Sequence, residues 1–142
     1  MTATQRTIGL GDRIAGAAWG LLVGDALGVP YEFREPEGIG TVVFGASGTH
    51  GQPPGTWSDD GALMLATLDA LLPAGETVAR LDLDAHAAAC IAWRRAGRYT
   101  PDGDGVFDIG GATSAAIARM EQAGVRIVRR EGDVPNFRES PE

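Results

Sequence analysis

The chain has 142 residues, a formal net charge of −7 from 19 acidic and 12 basic residues, and 44% hydrophobic residues. That length suits one domain with a sizeable core and excludes both a two-domain architecture and wholesale disorder. Every basic residue is an arginine and the acidic balance argues against a nucleic-acid surface, because phosphate contacts need massed cations; the cluster Arg126, Arg129 and Arg130 is small and reads as a solvated face.

In chain order, MTATQRT has no long apolar run behind a basic start, so no signal peptide is visible and the cytoplasm is expected. A first helix is predicted from about Asp12 to Leu27, within DRIAGAAWGLLVGDALG. Gly16, Gly20, Gly24 and Gly28 recur every fourth residue and form one slowly drifting stripe without side chains. Each interior glycine costs a helix roughly 0.5–1 kcal/mol relative to alanine, so the stripe is expected where another backbone or a ligand comes close. The apolar run between Arg13 and Asp25 is shorter than the ~20 residues of a membrane span, so no membrane association is expected. GIGTVVFGASG alternates weakly, as a short extended piece would.

A second helix is predicted from about Ser58 to Leu72, stopping at Pro73. It is apolar on almost every face, the pattern of a central buried helix. A third runs from about Asp84 to Ala96, with Asp82 and Asp84 as starting caps and Gly97 as its stop. The lone cysteine, Cys90, excludes an internal disulfide and reads as a small core residue within that helix. A fourth is predicted from about Asp108 to Ala123, with Gly124 after it, and the tail from about 125 to 142 has no apolar periodicity. The reading is an all-α domain packed around the second helix.

The chemistry-bearing stretch is GTWSDDGALML, Gly55 to Leu65. Ser58 as an N-cap and one aspartate in the first turn need only the positive end of a helix. The adjacent Asp59 and Asp60 need more, since neighbouring like charges repel. Oxygen ligands fanned about 100° apart from a helix start suit hard divalent cations, so capping and metal binding both remain open. Asp25 falls near the C-terminal end of the first helix, where the dipole disfavours an acid, and so calls for another partner. Glu32 follows in a loop between Tyr31 and Phe33. Asp102, Asp104 and Asp108 fail the calcium-loop spacing, with Val106 and Thr113 at its fifth and twelfth positions, and read as a turn. His50 and His86 read as isolated, with no triad pattern near either.

Taken together, DRIAGAAWGLLVGDALGVPYEF, PPGTWSDDGALMLATLDALL and VFDIGGATSAAIARME resemble the ADP-ribosylglycohydrolase family over most of residues 12–123. The resemblance implies an all-α, orthogonal helical domain with two Mg²⁺ or Mn²⁺ ions in a cleft, hydrolysing the glycosidic bond between ADP-ribose and an acceptor. The acceptor would be a modified protein or a small ADP-ribose derivative. It implies Ser58, Asp59 and Asp60 as metal ligands, with serine where threonine is usual and Gly61 where a second threonine is usual. It implies Glu32 as a catalytic residue and Asp25 as a residue near the site, behind the ligands. The family's second metal motif, Asp-x-Asp-Thr, has no counterpart here: Asp82/Asp84 and Asp102/Asp104 stand in the wrong context. Residues 1–142 therefore read as the N-terminal part of one such domain, with the second metal site incomplete. The alternative is a non-catalytic relative that binds ADP-ribose or serves structurally. A missing C-terminal portion would also leave part of the second helix uncovered, predicting self-association.

Overall fold

The computed structural model describes residues 7–45, 47–71, 81–101 and 105–124. Its helices are α1 (Leu10–Gly28), α2 (Asp59–Leu71), α3 (Leu83–Ala96) and α4 (Gly111–Gln122). Two short 3-10 turns, Val29–Tyr31 and Pro36–Gly38, lie between α1 and α2. No strand occurs among the described residues, and the all-α reading holds; Val42 and Val43 lie in irregular chain. The predicted stop at Pro73, the Asp102/Asp104 pair, the arginine cluster and the tail lie outside the described residues.

Helix ends sit where local chemistry puts them. The Asp12 carboxylate accepts the Gly9 N–H at 3.0 Å and starts α1. Asp82 Oδ1 accepts the N–H groups of Asp84 and Ala85, both at 3.0 Å, and caps α3. Gly97, in the left-handed region at φ 64°, ends α3 by donating its N–H to the Trp93 carbonyl at 2.9 Å. α4 starts at Gly111 and not at the expected Asp108, because Asp108 is itself left-handed at φ 55° and cannot belong to a right-handed helix.

The packing order is α1 on α2, α2 on α3 and α3 on α4. The second helix is thus one of two inner helices, but it is not enclosed on every face as expected. α3 is the enclosed element, with Ala87 through Trp93 buried without interruption. α2 buries Gly61 and the single stripe Ala62, Ala66 and Ala70, while Leu63, Met64, Leu65, Leu68 and Leu71 are half-covered. The physical reason is size: alanines on α2 meet the alanine-rich α3, and two such faces approach closely. Trp93 and Ile117, from α3 and α4, are the largest fully enclosed side chains. Ala62, Ala66, Ala89, Cys90 and Ile91 complete this core. Burial pushes the Cys90 thiol up, consistent with a packed and unreactive residue. His86 and Thr67, 3.0 Å apart, tie α2 to α3. Arg95 donates two hydrogen bonds to Glu121, at 2.7 and 2.9 Å, and ties α3 to α4.

α1 is the exposed member. Only Leu22 and Ala26 of its 19 residues are buried, and Ile14, Trp19 and Val23 are more than half exposed. A Cβ placed on Gly16, Gly20, Gly24 or Gly28 would meet nothing within 4 Å. The stripe thus faces open space, and not the close backbone contact expected of it. Leu10–Tyr31, with a mean hydropathy of 1.3 over its best window, is long and apolar enough to cross a membrane by length and composition alone. Its C-terminal half is instead tied to α2 through Asp25, as described next.

Candidate functional site

An α-helix begins with orphan N–H groups that need acceptors. Ser58 precedes α2, where a serine ordinarily accepts with its own side chain. Here its Oγ donates to Asp25 Oδ1 at 2.8 Å. Asp25 Oδ2 accepts the Ser58 N–H at 3.0 Å and the Gly61 N–H at 2.8 Å. The cap of α2 therefore comes from the last turn of α1, 33 positions earlier in sequence. This corrects the side-chain N-cap reading of Ser58. It also explains why an acid stands at the unfavourable end of α1: the positive end of α2 is its partner.

The close approach fixes Gly61. A Cβ there would stand 2.7 and 2.8 Å from Cδ1 and Cγ of Trp57 and 2.9 Å from Asp25 Oδ2. The Trp57 indole is held in turn, its Nε1–H donating to the Tyr99 carbonyl at 2.8 Å. A larger residue at position 61 has no room in this arrangement.

Ser58 is buried, Asp59 half-buried and Asp60 exposed. Burial pushes the Asp59 carboxyl above the usual range, and the negative charges of Asp60 and Asp108 push it further. Only hydrogen bonds, the first from Ser58, act in the opposite sense.

A second group forms around Glu32, which follows the Val29–Tyr31 turn. The loop is pinned from several sides. The Tyr31 hydroxyl accepts the Val43 N–H at 2.9 Å, and Thr49 Oγ1 donates to the Glu32 carbonyl at 2.7 Å. Gly48 lies so close to the Pro30 backbone that a Cβ would collide with it. These ties bring His50 Nε2 to 2.6 Å from Glu32 Oε2. The imidazole stands between Phe33 and Phe107, ring centroids 5.8 and 5.3 Å away. Asp108 Oδ1 lies 3.9 Å from His50 Nε2. One ligand atom from each of Glu32, His50 and Asp108 lies within 4.8 Å of the others. Burial pushes the Glu32 carboxyl up, the contact with His50 pulls it down, and neighbouring Asp108 pushes it up again.

His50 and Asp108 are the residues that sequence reasoning missed. His50 is not isolated, and Asp108 is more than a turn residue: it lies beside Glu32 and also acts on Asp59, so it links the two groups. The available signal was the Gly110-Gly111 pair that opens α4 just after Asp108. His86, by contrast, belongs to the α2–α3 contact.

The donor set fits a hard divalent cation. The charges acting on Asp59 are negative, and Ser58 Oγ lies 3.4 Å from Asp59 Oδ1. Two oxygens each ~2.0–2.6 Å from one ion at right angles lie about 3–3.7 Å apart, so this pair can share a cation. The Glu32, His50 and Asp108 group adds two carboxylates, which suit Mg²⁺ or Mn²⁺, and an imidazole, which favours a transition ion over Mg²⁺.

Comparison with known proteins places the same residues in context. Residues 6–137 match the ADP-ribosylglycohydrolase family. An ADP-ribosylarginine hydrolase Tri1 of Pseudomonas putida (strain GB-1) is 34% identical over 116 residues, covering 80% of this chain and 29% of that protein. An ADP-ribosylarginine hydrolase Tri1 of Serratia proteamaculans (strain 568) is 30% identical over 113 residues, covering 80% of this chain and 30% of that protein. The chain thus spans under a third of the length of these relatives.

Proposed function

Because this chain belongs to the ADP-ribosylglycohydrolase family, we propose that it forms part of the centre of a metal-dependent hydrolase that releases ADP-ribose from a modified acceptor. The convergence of Glu32, His50 and Asp108 beside Asp59 carries this reading. Ser58, Asp59 and Asp60 would hold the divalent ions, Mg²⁺ or Mn²⁺, with Asp25 behind them. When bound, the ions would supply charge stabilisation and orientation for the ribose hydroxyls and the attacking water. The names of the two relatives point to arginine as the acceptor.

The chain's own residues divide the work. Cleavage at the anomeric carbon develops oxocarbenium character and needs a proton delivered to the leaving nitrogen or taken from water. Glu32 is suited to either role. Its carboxyl is raised above the usual range by burial and by Asp108, while His50 pulls it down and fixes its orientation at 2.6 Å. Asp108 keeps negative charge near the developing cation. Phe33 and Phe107 are the aromatic neighbours of the imidazole.

The test is release of ADP-ribose from an arginine-ADP-ribosylated protein. It compares this chain with a longer form that carries an Asp-x-Asp-Thr motif, each with Mn²⁺, Mg²⁺ or EDTA. The longer form is expected to release ADP-ribose only with metal, and Glu32→Gln to lower the rate about 10²–10⁴-fold. The 142-residue chain alone, with one metal motif, is expected to release little. Release that survives EDTA, or none from either form, defeats the proposal. One alternative is a non-catalytic ADP-ribose-binding or structural relative. Calorimetric binding of ADP-ribose without metal and without release would establish the binding form of it.

A further inference from the structure

Ser58 poses a problem of polarity. A hydroxyl has one proton and two lone pairs, and a hydroxyl that ligates a cation must turn oxygen toward it and give its proton to something else. Two carboxylates compete for that proton: Asp25 Oδ1 at 2.8 Å and Asp59 Oδ1 at 3.4 Å. A proton directed at Asp59 would occupy the space between the two oxygens that a shared cation needs. A proton directed at Asp25 leaves that space to lone pairs. The shorter contact decides for Asp25, whose other oxygen is held by the Ser58 and Gly61 N–H groups at 3.0 and 2.8 Å.

We propose that Asp25 is a positioning residue that sets the direction of the Ser58 hydroxyl, so that Ser58 presents lone pairs beside Asp59 to a divalent cation. The inference rests on the metal-binding reading above and extends it to how one ligand is made competent. The capping role and the polarity role use different oxygens of one carboxylate, so they separate by substitution. In Asp25→Asn the amide oxygen takes over the two backbone N–H groups and α2 keeps its cap. The amide nitrogen then faces Ser58 Oγ and donates to it. The Ser58 proton swings toward Asp59 and enters the cation's space.

The experiment is Mn²⁺ titration of the 142-residue chain, followed by the electron paramagnetic resonance signal of free Mn²⁺. It covers wild type, Asp25→Asn, Ser58→Ala and the double variant. Substitution behind a metal ligand typically weakens affinity 10–100-fold, and Asp25→Asn is expected to do so. In the Ser58→Ala background the same substitution is expected to change affinity less than about twofold, since the group it acts through is gone. Thermal melting of Asp25→Asn near that of wild type would show that the cap survives. In the unsubstituted protein, proton NMR should place the Ser58 hydroxyl proton close to the Asp25 Cβ protons and away from those of Asp59. Unchanged Mn²⁺ affinity in Asp25→Asn, an equal loss in both backgrounds, or a hydroxyl proton near Asp59 overturns the positioning role and leaves the metal reading standing. Failure of wild type to take up Mn²⁺ overturns both.

Discussion

Adding one methyl group at Gly61 tests the geometry that joins α1 to α2. In Gly61→Ala the new carbon falls 2.7–2.9 Å from two Trp57 ring atoms and from Asp25 Oδ2. Neither neighbour moves freely: the indole is bonded to the Tyr99 carbonyl at 2.8 Å, and Asp25 Oδ2 holds two N–H groups. Overpacking of this kind costs about 1–3 kcal/mol. Replacing a helical glycine by alanine returns roughly 0.5–1 kcal/mol. The expected net effect is a loss centred on about 1 kcal/mol and reaching about 2.5 kcal/mol, a fall in Tm of roughly 3–10 °C for a chain of this size. Gly20→Ala is the internal control. Nothing stands within 4 Å of its new carbon, so the full propensity gain should appear as a rise of about 2–5 °C. Thermal melts followed by circular dichroism at 222 nm decide it. If Gly61→Ala melts at or above wild type, or if both variants shift in the same direction, the close approach of Asp25 and Trp57 to α2 is refuted.

Asp59→Asn should stabilise the metal-free chain at neutral pH. The carboxyl of Asp59 is raised in the folded state, so folded protein binds protons more tightly than unfolded, and stability falls as pH rises from the ordinary aspartate value of 3.8 through the raised value. Urea denaturation of wild type and Asp59→Asn at pH 4 and pH 7 should show a gain for the variant at pH 7 that shrinks at pH 4. A gain that is larger at pH 4 contradicts the sign. His50→Ala removes a group that holds the Glu32 carboxyl down, so a ¹³C NMR titration should find Glu32 higher still, and a fall would be contrary evidence. Trp19, 68% exposed on the apolar outer face of α1, should make the chain self-associate or bind a hydrophobic dye. Trp19→Glu should weaken both in sedimentation and fluorescence assays, and a strictly monomeric wild type that binds no dye would contradict this.

Much of the fold was legible because helix ends leave local signatures. Asp82 and Gly97 bracket α3, and Gly124 marks the end of α4. The centre of the fold was less legible. Composition alone made α2 look enclosed, but burial depends on which faces the neighbours cover, and small alanines drew α2 and α3 together along one stripe. The start of α4 was misplaced because a left-handed aspartate looks the same in sequence as a helical one. At the site, Asp25 was flagged by its unfavourable place on α1, a local argument that held. His50 was missed because nothing beside it in sequence marks its partner. Glu32 lies 18 positions away, and the contact exists only because Tyr31, Thr49 and Gly48 fold the intervening loop back. The pairing of Glu32 with Asp108 depends on α4 packing behind α3, which no periodicity encodes.

The carboxylate of Asp25 works as a clasp on the chain between α1 and α2. Its grip on Ser58 and Gly61 closes a loop at both ends, whatever lies inside. Once such a loop is closed, doubling its length costs only about 0.6 kcal/mol in further ordering. The stretch from Arg34 to Pro54 can therefore lengthen, shorten or change composition without disturbing the junction, provided Tyr31, Val43, Gly48, Thr49 and His50 keep their places. Diversification among relatives is expected to concentrate in this replaceable insert.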